Sequence, residues 1–124
     1  MRISCGVDII EIDRVKESIE QLGDKFLNKI FTKKEIEYCE SRKKQKYQHY
    51  AARFAAKEAA FKAISGQICD KYDVSWKDFE VINDNQGRPS IKLICIDEKI
   101  IESIDISISH CKKYAVANVT VLYK

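Results

Sequence analysis

The chain has little of what punctuates or anchors a protein. It holds one proline and four glycines in 124 residues, and no repeat or low-complexity tract. With no Pro- or Gly-rich linker there is no domain boundary, and the length suits a single domain, residues 1–124, with one modest core. No apolar run approaches the roughly 18 residues of a membrane span. Met1-Arg2-Ile3 leads straight into a strand-like run, without the apolar region and cleavage site of a secretory leader. The five cysteines, Cys5, Cys39, Cys69, Cys95 and Cys111, include no C-x-x-C pair. Their spacing argues against a zinc site or disulfide framework and fits a reducing cytoplasm. Nor is there a marked excess of charge: 22 bases against 19 acids leave +3, too little to argue for nucleic acid.

What is present describes an ordinary folded chain, 45% hydrophobic and 33% charged. Residues 2–10 read as a buried strand. Ile12, Val15, Ile19 and Leu22 recur at helical spacing up to Gly23, and 24–31 predict a second short helix. Thr32-Lys33-Lys34-Glu35 has capping-box spacing for a third helix running to about Glu40. The alanine-rich stretch from Tyr47 to about Ser65 predicts the longest helix, with Gly66 to end it. Phe79, Val81 and Ile82 suggest a strand, Asn83 to Pro89 a turn, and Ser90 to Cys95 a returning strand. Ile104, Ile106 and Ile108 alternate with polar residues as in a half-buried strand, and Tyr114 to Leu122 predict the last one. The predicted class is α+β: an antiparallel sheet packed by one long helix and shorter helices.

Three segments carry residues suited to chemistry. Glu58 and Lys62 share a helix face with Phe54, Phe61 and Ser65. They form either a solvated surface pair or an acid facing protein, which needs a cation as partner. Asp8 interrupts the apolar run Ile3 to Ile10; it is either a cap for the turn into Ile12 or a metal ligand. Two carboxylates whose remaining positions are filled by water and phosphate oxygens is how proteins hold magnesium. His110 ends Ser107-Ile108-Ser109-His110 and suits a structural role as well as a binding one. Glu11 and Asp13 read as helix-start acids, Gly87-Arg88-Pro89 as a hairpin turn, and Arg42 to Lys46 as a solvated basic turn.

The order of these segments resembles the holo-acyl-carrier-protein synthases, the small trimeric branch of the 4'-phosphopantetheinyl transferases. The motifs are Gly6-Val7-Asp8-Ile9-Ile10-Glu11-Ile12, Phe31 to Glu35, Arg53 to Ala63, Asn83 to Pro89, Ser107 to His110 and Tyr114 to Ala117. The resemblance implies transfer of the phosphopantetheine arm of coenzyme A to a serine of apo acyl carrier protein, in support of fatty acid biosynthesis. Adenosine 3',5'-bisphosphate would leave. It implies that Asp8 and Glu58 bind Mg2+, with Lys62 beside them as the third catalytic residue. Arg53 and Lys62 would contact the nucleotide's phosphates. Gly87, Arg88 and Pro89 would lie against the adenine, with Ser109 and His110 on its other side. A metal-ordered water, or Glu35 if it reaches the site, would take the serine proton. Cys111 after His110 and Gln67 after Gly66 depart from the family pattern; neither is a metal position.

The resemblance also implies a homotrimer with sites between subunits, and an acidic carrier protein docking on Arg14, Lys25 and Phe26, with Lys16, Lys29, Val15 and Leu27 nearby. No nucleic-acid or membrane partner is expected. The alternative is a non-enzymatic module binding acidic protein or RNA through Arg14, Lys25, Lys33, Lys34 and the basic turn. Few aromatics alternate with those bases, which weakens stacking on single strands.

Overall fold

The computed structural model describes residues 1–67, 74–94 and 96–124. The chain runs β1 (Arg2–Glu11), α1 (Ile12–Leu22), α2 (Asp24–Ile30), α3 (Lys33–Ser41), α4 (Lys46–Ile64), β2 (Phe79–Asn83), β3 (Pro89–Leu93), β4 (Ile101–His110) and β5 (Tyr114–Tyr123). The elements follow the predicted order. Cys69 and Cys95, the latter the predicted end of a strand, lie outside the described residues.

The local signals act as their chemistry dictates. The Thr32 hydroxyl accepts from the Glu35 amide at 3.3 Å, while the Glu35 carboxylate accepts from the Thr32 amide at 2.8 Å. That closes the capping box and starts α3. Gly23 takes the φ of +59° that lets the chain turn between α1 and α2. Gly87 does the same at +82° in the turn between β2 and β3.

The antiparallel sheet is in two pieces. A three-stranded sheet has the order β1-β5-β4, so the first and last strands of the chain are neighbours, and β2-β3 forms a separate hairpin. Register places Asp8 opposite Ala117 and Ala117 opposite Ile108. Side chains at paired positions share a face. Gly6, Asp8 and Ile10 therefore face α4 together, and Ile3, Cys5, Val7 and Ile9 face the other way.

α4 is the spine of the molecule. Its alanines 51, 52, 55, 56, 59, 60 and 63 are all buried. One core packs its C-terminal half against the sheet and hairpin, with Ile64, Phe79, Val81 and Val119. The other packs its N-terminal half against α1, α2 and α3, with Val15, Leu27, Phe31 and Tyr50. Small side chains let a helix buried nearly all round sit close to the strands. The less buried positions of its middle and end, Phe54, Glu58, Phe61, Lys62 and Ser65, form the stripe singled out in the sequence.

Candidate active site

Asp8 sits in mid-strand, so it is no cap. The N-cap of α1 is Glu11, which makes no side-chain cap hydrogen bond. The alternation of β1 points Asp8 at α4, and Lys62 meets it there. The Lys62 ammonium donates to the Val7 carbonyl at 3.0 Å and to Asp8 Oδ1 at 3.2 Å. Glu58, one helical turn before Lys62, is half-buried beside them. Burial, and next the charge of Asp8, hold its carboxyl above the usual range, while Lys62 pulls it back. Asp8, Glu58 and Lys62 thus form one group.

This arrangement favours a cation. Two acids held together, one of them partly desolvated, gain from a positive charge that Lys62 supplies only in part. Among the described residues no cluster of three or more His, Cys, Asp or Glu could hold a metal by itself. A pair of carboxylates suits an ion that completes its shell with water and phosphate oxygens.

Glu58 also lines a cavity of about 220 Å³ with Phe61, Val74, Ser75, Trp76 and Phe79. Its aromatic wall is built from α4 outward. Trp76 stacks on Phe54 at 5.1 Å, and Phe79 meets Phe61 edge-on at 6.5 Å.

A second group gathers on another side of α4. Arg53 and Lys62 are about two and a half turns apart at 3.6 residues per turn, so they leave opposite sides of the helix. The Arg53 guanidinium donates to Asn83 Oδ1 and lies 4.0 Å over the Tyr38 ring, which also carries Arg42 at 4.6 Å. Its Nε is buried, with no hydrogen-bond partner among the described residues. His49 packs edge-on against Tyr38 at 5.5 Å and against His110 at 6.2 Å. Burial first, then Arg53, Arg42 and His110, lowers the pKa of His49. Asn83 in turn donates to the Gly87 carbonyl at 2.9 Å, which ties Arg53 to the loop of Gly87, Arg88 and Pro89. Arg88 is exposed and reaches Asp105 at 3.8 Å.

Among the described residues, no hydrogen bond or ion pair joins the Asp8 group to the Arg53 group. The structure therefore brings Arg53, His110 and the Gly87 loop together, apart from Lys62. Ser109 and His110 are adjacent on β4 and point to opposite faces of the sheet. Tyr38, Arg42 and His49 had no assigned place in a site. A signal existed: Tyr38 on α3 and Arg42 at its C-cap are four apart, as are His49 and Arg53 on α4.

Glu35 is no general base for this site. It is fully buried, with the Lys57 ammonium 2.7 Å away and the Val81 amide donating at 2.9 Å. Lys57, also fully buried, is a residue the sequence reading missed among the solvated lysines. Burial lowers its pKa, against the pull of Glu35.

On the surface, Arg14 and Lys25 are exposed and Phe26 is half-buried, edge-on to Phe31 at 6.4 Å. Val15 and Leu27 belong to the core instead, whereas Leu22, between them in the chain, is exposed. Cys111 is exposed, and the backbone amides of Lys113 and Tyr114 lower its thiol pKa. Gln67 lies exposed in the single 3-10 turn after α4. No helix among the described residues is long and apolar enough to cross a membrane.

The family model of the 4'-phosphopantetheinyl transferase superfamily matches residues 4–119. A holo-[acyl-carrier-protein] synthase of Ruminiclostridium cellulolyticum is 47% identical over 122 residues, covering 94% of this chain and 90% of that protein. One from Solibacter usitatus is 44% identical, covering 96% and 97%. Among solved structures, the Bacillus anthracis holo-(acyl-carrier-protein) synthase in complex with CoA (3',5'-ADP) matches with a TM-score of 0.75 and 36% identity. The match covers 95% of this chain and 94% of that one. The Helicobacter pylori enzyme in complex with coenzyme A matches with a TM-score of 0.80 and 31% identity, covering 95% and 99%.

Proposed function

The chain belongs to the holo-[acyl-carrier-protein] synthases of the 4'-phosphopantetheinyl transferase superfamily, and we propose that it moves the 4'-phosphopantetheine group of coenzyme A onto a serine of apo acyl carrier protein. Adenosine 3',5'-bisphosphate leaves, and the holo carrier protein serves fatty acid biosynthesis in the cytoplasm. The observation that carries this reading is the convergence of Asp8 on β1 with Glu58 and Lys62 on α4, the last of them 54 positions further along the chain.

The serine oxygen attacks the β-phosphorus of the coenzyme A pyrophosphate, forming one P–O bond as the bond to the bisphosphate breaks. Asp8 and Glu58 would hold Mg2+, which would supply charge neutralisation for the phosphoryl oxygens. Lys62, held by Asp8 and the Val7 carbonyl, adds its own positive charge to the phosphate side. With Glu35 buried elsewhere, a water held in the site would accept the serine proton. Arg53, Gly87, Arg88, Pro89, Ser109 and His110 receive the nucleotide.

The site is completed between subunits of a homotrimer. Two features support this. The Asp8 group and the Arg53 group lie apart in one subunit, so the Gly87 loop or His110 of a neighbour can meet Asp8 and Glu58. The outer face of the three-stranded sheet also exposes Ile3 (68%), Val7 (56%), Ile9 (64%) and Tyr114 (44%), an apolar surface of the kind that marks an interface. Arg14, Lys25 and Phe26 receive the acidic carrier protein.

The test is direct. Incubated with coenzyme A, magnesium and apo carrier protein, the chain adds phosphopantetheine to the carrier serine, seen by mass spectrometry. Asp8→Ala removes that product while the folded far-ultraviolet spectrum persists. Normal product with Asp8→Ala, or none with the parent, sinks the reading.

A further inference from the structure

Lys57 and Glu58 are neighbours on α4 and leave it in different directions. Glu58 faces the cavity, whereas Lys57 turns into the protein and is fully buried. An ammonium has three donors, and Lys57 uses them on the Glu35 carboxylate, the Trp76 carbonyl and the Phe79 carbonyl. Trp76 and Phe79 are the aromatic wall of the cavity that Glu58 borders. Glu35 is anchored in turn: it accepts from the Thr32 amide at the start of α3 and from the Val81 amide of β2. The segment leading into β2 is thus fastened to α4 at two carbonyls, one residue from a proposed metal ligand.

A buried ion pair is a poor way to gain stability, since apolar side chains of similar volume often do as well. It does fix geometry, because a buried ammonium tolerates no loss of its acceptors. The element whose position it dictates is the cavity wall. The cavity is mostly apolar, with one charged rim, and so suits an extended chain of methylenes and amides attached to a phosphate.

We propose that Lys57 is a positioning residue for the transfer, its ammonium holding the Trp76–Phe79 backbone so that the cavity beside Glu58 keeps the shape that receives the pantetheine arm of coenzyme A. This rests on coenzyme A being the substrate.

Trp76 is the only tryptophan in the chain, so its emission reports on the cavity. In the magnesium-loaded protein, coenzyme A changes that emission, while adenosine 3',5'-bisphosphate, which lacks the arm, binds with little change. The variant Lys57→Met with Glu35→Leu removes the ammonium and its counter-charge together. Calorimetry on this variant should show coenzyme A weakened on the order of tenfold, about 1.4 kcal/mol, with bisphosphate affinity kept. Trp76→Ala shows the same split with the ion pair intact. If the double variant does not fold, Lys57→Gln with Glu35→Gln is measured by the same criterion. A parent that transfers the arm, with folded variants that bind both ligands as the parent does or lose both equally, overturns the role of Lys57. A folded parent that transfers nothing overturns the underlying reading, and this one with it.

Discussion

Gly6 of β1 lies so close under α4 that a Cβ on it would stand 2.0 Å from the Ala59 carbonyl oxygen. It would also meet the Ala63 amide nitrogen and the Lys62 Cβ at 2.9 Å each. The nearest atom is backbone and cannot swing aside. Two positions further along the same face of the strand is Asp8, so the approach that glycine allows is what brings Asp8 to Lys62 and Glu58. Gly6→Ala should separate strand from helix, at a cost of about 1–3 kcal/mol for overpacking. Thermal unfolding should show a Tm lower by several degrees. Transfer activity, measured well below that Tm, should fall further than the loss of folded protein explains. An unchanged Tm and rate would mean that β1 and α4 do not meet this closely.

The Glu58 carboxyl has its pKa raised by burial and by Asp8, and the sign of its effect on stability follows. A group with a raised folded pKa favours the native state below its unfolded pKa, about 4.3 for glutamate, and loses that contribution as pH rises through the folded value. In the metal-free protein, Glu58→Gln should therefore raise Tm at neutral pH. The gain should vanish as pH falls below about 4. The same substitution should remove nearly all transfer, and magnesium with coenzyme A should raise the Tm of the parent more than that of the variant. A Glu58→Gln protein less stable than the parent at pH 7 would count against the strained acid pair.

Arg14 is exposed on α1, close in sequence to the exposed Lys25 and half-buried Phe26 of α2. Charge on such a surface steers encounter with an acidic partner and is screened over a Debye length of about 8 Å at physiological salt. Arg14→Glu should raise the Michaelis constant for carrier protein strongly and leave that for coenzyme A nearly unchanged. Added salt should weaken carrier use in the parent and matter less in the variant. Equal effects on both substrates would remove Arg14 from the docking surface.

Val7 is 56% exposed in the middle of the edge strand β1, among the apolar residues on its outer face. Val7→Asp should cost the single subunit little, because the side chain there touches solvent. It should disrupt a trimer built on that face, since a buried unpaired carboxylate is expensive. Light scattering should show a trimer for the parent and a smaller species for the variant, with transfer lost in parallel. A parent that is fully active as a monomer would refute the shared site.

Sequence alone determined what is local. The capping box at Thr32, the alanine-rich helix, the Asn83–Pro89 turn and the alternation of β4 are each set by neighbours a few residues apart, where propensity and period act directly. Motif order was enough to place Asp8, Glu58 and Lys62 in one constellation. The tertiary structure decided what depends on register and helix phase. Asp8 could cap the first helix only if β1 ended before it, and pairing with β5 carries β1 through it to Glu11. Arg53 and Lys62 are both bases on one helix, yet half a turn of phase sends them to different sides. In the sequence Glu35 reads as a capping acid and Lys57 as one more surface lysine, because nothing local records that α3, α4 and β2 close over both. Burial is a property of the whole packing, and it turned a candidate base and an overlooked lysine into the clamp behind the cavity wall.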